Sequence, residues 1–148
     1  MSNPNEVTFD ITCMVRDACL CLHLQRAARA MARRFDTAFR PLDLTNQQFS
    51  LLMSLNRPAP ASMRDVATLL AMDRTTLTAA LKPLERRELV TVTIDPADRR
   101  SRRLSLTATG QRLLAEAVPI WQHEHAALDE MFSEDGPERL RADLRALS

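Results

Sequence analysis

The stretch Ser62–Gly110, SMRDVATLLAMDRTTLTAALKPLERRELVTVTIDPADRRSRRLSLTATG, decides how this chain is read. It opens at Ser62 with Asp65 three residues on, an N-cap signature. Val66, Leu69 and Leu70 then fall on one apolar stripe, predicting a helix of about two turns. After Ala71 and Met72, Asp73 caps a second pattern in which Leu77, Leu81 and Leu84 recur at helical spacing. Val90 to Ile94, VTVTI, is a β-branched run with no helical period. The loop DPADRRSRR and the alternating Leu104 to Leu106 follow, which together read as a two-stranded hairpin.

Two short capped helices, a strand, a basic loop and a second strand form the layout of a winged helix-turn-helix. The outer side of the second helix carries Thr75, Thr78, Ala79, Lys82 and Arg86. Short, hydroxylated and cationic side chains let a helix backbone approach the edges of bases in a major groove. Arg74, Thr75, Thr76 and Thr78 occupy the first turns, where a recognition helix reads bases. Arg99, Arg100, Arg102 and Arg103 lie in or beside the hairpin loop, where their charge can reach phosphates or a narrow minor groove. Asp98 is close enough in sequence to hold one of these arginines in place. A threonine-rich helix or an arginine-rich turn alone is ordinary solvated surface; it is their order and spacing that point to DNA.

The chain of 148 residues fits one domain, and 45% hydrophobic against 26% charged residues is the balance of an ordinary soluble protein. Two glycines and no tyrosine, with Ala, Leu and Arg abundant, point to a mostly helical chain, which with the hairpin gives a mainly α fold with a small two- to three-stranded β wing. The net charge of +1 hides a division along the chain. Residues 13–40 hold six arginines against two aspartates, and 73–103 hold eight basic residues against five acidic ones. Residues 116–148 carry eight acidic side chains and three arginines, so a basic DNA lobe is set against an acidic distal end. No apolar run reaches the roughly 20 residues of a membrane helix, and the polar start lacks a signal peptide's basic and apolar parts. A cytoplasmic location is expected.

Further helices flank the lobe. A long amphipathic helix is expected over Thr12–Phe39, and Thr45 with Gln48 forms a capping box for one ending near Asn56. Thr107 begins another running to about Phe132, with a short last helix over Pro137–Leu147. Leu113, Leu114, Val118, Trp121, Leu128 and Phe132 form a stripe longer than a wing can cover, which suggests a partner helix as well as plain core. Pro83 and Pro119 each remove a helical hydrogen bond and predict bends. At Pro83 the bend is expected to part a DNA-facing first half from a core-packed second half. The expected organisation is one domain over residues 1–148, with dimerisation helices at about 10–40 and 107–148 around a winged lobe at about 44–106.

These segments resemble the multiple antibiotic resistance regulator (MarR) family of bacterial transcription factors. The resemblance rests on LTNQQFSLLMSL (Leu44 to Leu55), SMRDVATLLAMDRTTLTAALKPLERRELV (Ser62 to Val90) and DPADRRSRRLSLTATG (Asp95 to Gly110). The family's wing pattern falls on Asp98, Arg100, Leu106, Thr107 and Gly110. The resemblance implies a homodimer whose termini form the interface, double-stranded DNA with a pseudo-palindromic operator as partner, and Arg100 probing the minor groove. It also implies a small-molecule effector pocket near Cys21, Gln25, Phe49, Met53 and Trp121. The sequence departs from the family's RRGLV-like pattern at Glu88, where glycine is usual, so a differently built turn into the strand is expected.

Cys13, Cys19 and Cys21 are all placed on the first helix, an odd number that argues for free thiols. There Cys19 and Cys21 point about 200 degrees apart and cannot pair. Leu20, Cys21, Ala30 and Met31 match the reactive-cysteine sequence of the family's organic hydroperoxide regulators, although the tyrosines that assist it there are missing here. Activating Cys21 calls for a nearby cation, for which Arg16 or Arg26 are candidates; buried cysteines are otherwise small hydrophobes. Cys19 and His23 supply two ligands where a structural zinc site wants four, so neither metal nor cofactor is expected. No acid or base is placed to serve a catalytic Cys21, and HExxH and phosphate-binding glycine loops are absent from the sequence. The reading is a sequence-specific dimeric DNA-binding regulator, a repressor released by a small ligand or thiol oxidation, and not an enzyme. The alternatives are a winged-helix protein-interaction module without specific DNA binding, or a peroxide sensor acting through Cys21.

Overall fold

The computed structural model describes residues 6–148. In chain order they form α1 (Phe9–Ala18), α2 (Leu20–Phe39), a 3-10 turn (Arg40–Leu42), α3 (Asn46–Leu55), β1 (Ala61–Ser62), α4 (Met63–Leu70) and α5 (Arg74–Arg86). Then come β2 (Val90–Ile94), β3 (Arg102–Leu106), α6 (Ala108–Asp129) and α7 (Gly136–Ala146). The fold is mainly helical with one small antiparallel sheet, the winged helix-turn-helix with flanking helices that the sequence predicts. No helix among the described residues is long and apolar enough to cross a membrane. The chain divides into two compact units, one ending at Arg34 and one beginning at Phe35.

In the N-terminal unit the expected single helix is two. The chain leaves helical geometry at Cys19, whose φ of −70° and ψ of 110° are extended, and α2 restarts at Leu20. Local bonds support the break. The Cys19 sulfur accepts the Leu22 amide at 3.5 Å, and the His23 Nδ1 lies 2.7 Å from the Cys19 carbonyl oxygen. Rotation about a single ψ leaves no trace in an apolar periodicity, which continues on either side of it. The three cysteines therefore do not share one helix: Cys13 is on α1, Cys19 is the junction and Cys21 is in the first turn of α2.

The C-terminal unit is built on a core in which Phe39, Leu51, Leu52, Val66, Leu77 and Leu104 are all but inaccessible. Phe39 and Phe49 stack with ring centres 4.8 Å apart, joining α2 to α3. The side-chain caps at Thr45, Ser62, Asp73 and Thr107 are all formed. Thr45 and Gln48 make both halves of a capping box, while Ser62 accepts the Asp65 amide and Asp73 the Thr76 amide. The sheet runs β1-β3-β2, with Val92 opposite Leu104 and Thr93 opposite Arg103. β1 adds an edge to the expected hairpin, pairing Ala61 with Leu104; two residues are too few to show a period. α5 continues through Pro83 to Arg86, and Leu77, Leu81 and Leu84 stay buried on both sides of the proline. The core stripe is thus continuous along α5, so both halves pack inward instead of the first facing DNA alone. α6 likewise continues through Pro119.

Among the described residues three helix ends are left-handed, and neither of the two glycines is used there. Asp43, Ala71 and Glu88 take φ of 50°, 51° and 56°. At Glu88 the amide bonds the Glu85 carbonyl and the Leu89 amide the Leu84 carbonyl, both at 2.9 Å, the paired closure of a left-handed C-cap. The turn into β2 is therefore the ordinary one and not the different one expected: hydrogen bonding holds Glu88 in a conformation glycine would adopt without strain. Glu88→Gly is expected to raise stability by about 0.5–1 kcal/mol, the relief of left-handed strain less the added freedom of glycine in the unfolded chain. Urea unfolding checks this, and a loss of stability would refute it.

Candidate nucleic-acid interface

The first two turns of α5 are organised by Asp73. Its carboxylate accepts the Thr76 amide at 2.7 Å and the Thr76 hydroxyl at 2.8 Å. Thr76 is thereby committed to the cap, and Thr78 turns its hydroxyl back onto the Arg74 carbonyl at 2.8 Å, a helix-internal bond that leaves the methyl outward. Arg74, Thr75, Thr78 and Lys82 are all exposed. Arg74, Thr78 and Lys82 line a cleft of about 310 Å³ together with Arg100 and Arg102 of the wing, with Glu85 as its one acidic wall. Recognition-helix and wing cations named from sequence thus meet on one surface.

The wing loop is built by two aspartates through its backbone. Asp95 accepts the Ala97 amide at 2.9 Å and lies 3.3 Å from the Arg103 Nε. Asp98 accepts the Arg100 amide at 3.0 Å and the Ser101 hydroxyl at 3.1 Å. The Ser101 amide closes onto the Asp98 carbonyl at 2.9 Å, and the Asp95 amide onto the Ser101 carbonyl at 3.0 Å. Asp98 therefore positions Arg100 by its main chain, not by an ion pair with a guanidinium. Arg99 and Arg100 are exposed. Arg102 donates to the carbonyls of Arg99 and Ser101, at 3.2 and 3.4 Å, which orients its charge without neutralising it. Arg103 differs: it braces the wing base against Asp95 within β3.

Asp73 and Asp95 titrate low. The Thr76 amide, helped by its hydroxyl, holds the Asp73 carboxyl below the usual carboxylate range; the Ala97 amide first, and Arg103 after it, do the same for Asp95. The unfolded chain consequently takes up these protons first as pH falls. The stability these groups contribute is present above an unfolded pKa of about 3.9 and lost as pH drops through the lower folded values. Asp73→Asn keeps a cap oxygen but cannot ionise, so its stability should fall less steeply than wild type below about pH 4. Denaturant unfolding across that range is the measurement, and superimposable acid limbs would exclude the ionised cap.

The remaining candidates lie elsewhere. In the N-terminal unit Cys13 and Cys19 are half-buried and Cys21 is exposed. Gln25 donates to the Cys21 sulfur at 3.3 Å. Arg16, a candidate activator of Cys21, is instead clasped by Asp17 at 2.7 and 3.0 Å. In the C-terminal unit Phe49, Met53 and Trp121 line an apolar cavity of about 410 Å³ with Leu69 and Val118. The Trp121 ring lies 4.5 Å from that of His125. Among the described residues no group of three or more His, Cys, Asp or Glu is arranged to hold a metal. Sequence reasoning missed Leu69 as a cavity wall and Arg64 as a cation beside Arg74 and Arg102.

Comparison with known proteins gives a consistent picture. The model of the MarR family matches residues 44–101. The chain is 36% identical over 76 residues to the HTH-type transcriptional repressor NicR of Pseudomonas putida, a match covering 51% of this chain and only 48% of that relative. It is 31% identical over 101 residues to the organic hydroperoxide resistance transcriptional regulator of Bacillus subtilis, covering 68% of this chain and 69% of the relative. In structure it is similar to the M. tuberculosis transcriptional regulator MosR in complex with DNA. There the identity is 38%, the coverage 87% of this chain and 92% of MosR, and the TM-score 0.79.

Proposed function

Because the chain belongs to the MarR family of transcription regulators, we propose that it is a homodimeric, sequence-specific DNA-binding repressor acting in the cytoplasm on a pseudo-palindromic operator. The observation that carries this is the convergence of Arg74, Thr78 and Lys82 with Arg100 and Arg102 on one cleft. A recognition helix in the major groove and a wing arginine beside the minor groove need that juxtaposition. Arg74, Thr75, Thr78 and Lys82 are assigned to the groove and Arg99, Arg100 and Arg102 to the backbone and minor groove; Thr76 and Asp98 shape the elements that carry them. The two helical ends, residues 10–40 and 107–148, are assigned to the dimer. A protein-interaction module has no need of wing guanidiniums gathered beside a hydroxylated recognition helix, which disfavours that alternative.

Two release routes have support. The apolar cavity at Phe49, Met53 and Trp121 is of a size for an aromatic or lipophilic effector. The Cys19 sulfur accepts the Leu22 amide at the start of α2 and Cys21 is exposed beside it in sequence, so these two thiols are assigned to the oxidation route. The test is an anisotropy titration of reduced protein against the DNA upstream of its own gene, with scrambled competitor and then peroxide. Tight, competitor-resistant binding is expected; equal weak binding to both duplexes would refute specific recognition. Cys19→Ser or Cys21→Ser protein that still lets go of DNA on peroxide treatment exonerates that thiol.

A further inference from the structure

A second cleft, of about 430 Å³, lies between α4 and the start of β3. Its polar walls are Ser62, Arg64, Thr68, Arg74, Ser101 and Arg102. No carboxylate is among its lining residues, in contrast to the α5 cleft, which includes Glu85. The Ser62 hydroxyl accepts the Asp65 amide, and the Ser101 hydroxyl donates to Asp98. What this cleft offers an anion is therefore three guanidiniums and the hydroxyl protons of Ser62 and Thr68, the Ser101 proton being held by Asp98. Three like charges gathered on one cleft without a counter-charge repel one another, and an anion is the group that relieves the repulsion.

We propose that this cleft seats a phosphate of the DNA backbone, clamped by Arg64, Arg74 and Arg102. The assignment rests on the DNA-binding reading and adds to it a contact from the first helix of the helix-turn-helix, away from the recognition face and the wing tip. Met63, Arg74 and Arg102 line both clefts and form the ridge between them. A duplex lying against α5 and the wing accordingly runs its backbone past the α4 cleft. Arg102 is already oriented by the carbonyls of Arg99 and Ser101, so it reaches the phosphate with little further ordering. Arg64 is exposed in the first turn of α4, where the helix dipole also favours an anion.

Phosphate contacts are read from the salt dependence of binding and carry no sequence information. Anisotropy titrations of the full chain on operator and scrambled duplexes, over a series of salt concentrations, compare wild type with Arg64→Ala and Arg64→Lys. Arg64→Ala should flatten the plot of log K against log salt by about 0.9 per cleft, hence about 1.8 for a dimer. It should weaken both duplexes by the same factor, Arg64→Lys should restore the slope, and the melting temperature should not change. An Arg64→Ala slope equal to wild type, or a loss confined to the operator, overturns the clamp. Calorimetric binding of inorganic phosphate that disappears in Arg64→Ala while the DNA slope persists reassigns the cleft to a free anion and overturns it too. Wild-type protein with no salt-sensitive binding to either duplex overturns the DNA reading itself, and the clamp with it.

Discussion

Arg100→Ala is expected to weaken operator binding at least about thirtyfold, the effect of losing about 1 kcal/mol or more at each of two wings. The reason is pre-organisation. Asp98 takes the Arg100 amide and the Ser101 hydroxyl, and the Ser101 amide closes on the Asp98 carbonyl, so the backbone beneath the arginine is fixed before DNA arrives. No hydrogen bond or ion pair holds its guanidinium among the described residues, and the side chain is exposed. Removing it therefore takes nothing from the fold, and the whole change should appear in affinity. Arg100→Lys separates charge from shape: it should keep the salt dependence but recover only part of the affinity, because an ammonium is a more strongly hydrated point charge with no planar fork for a narrow groove. Anisotropy titrations beside thermal melts make the comparison. Unchanged affinity in Arg100→Ala at an unchanged melting temperature would remove the wing from the interface.

What was legible in the sequence follows from the range of each interaction. Ser62, Thr45, Asp73 and Thr107 cap helices through bonds to amides three residues on, so the spacing itself carries the information. The apolar stripe of α5, the β-branched run of β2 and the alternation of β3 are equally local. Arg64 was overlooked because the residues that give it meaning, Arg74 and Arg102, reach it only through the tertiary fold. The break at Cys19 depends on one backbone rotation, and the strand Ala61–Ser62 on a partner, Leu104, far along the chain. Glu88 shows the opposite limit. Its departure from glycine was visible, yet the left-handed turn survives because the amide bonds of Glu88 and Leu89 outweigh the preference of a side chain for negative φ. Asp98 does hold a wing arginine, but by its amide and not its guanidinium, a distinction that residue types alone do not make.

The largest loss of stability is expected at Gly110, because its neighbour cannot yield. A Cβ there would stand 2.1 Å from the Leu89 carbonyl oxygen and 3.2 Å from the Leu106 side chain. That carbonyl already accepts the Thr107 amide at 3.1 Å, while the Thr107 hydroxyl donates to the Glu88 carbonyl at 2.6 Å and accepts the Gly110 amide at 3.0 Å. Thr107 and Gly110 thus knot three elements, the end of α5, the exit of β3 and the first turn of α6. Gly110 is in an ordinary helical conformation, so its need is for space and not for positive φ. A methyl group forced against a backbone carbonyl pushes α6 off the winged lobe or breaks the Thr107 bonds. Gly110→Ala should therefore cost about 3 kcal/mol or more, at or beyond the upper end of ordinary overpacking, and lower the melting temperature by roughly 6–12 °C. Thr107→Val, which keeps the volume and loses the hydroxyl, should cost less, about 1–2 kcal/mol for one lost N-cap, because no atom is forced against the backbone. A Gly110→Ala protein that melts with wild type would mean that α6 can shift freely on the lobe, and that the close approach at Leu89 does not hold it there.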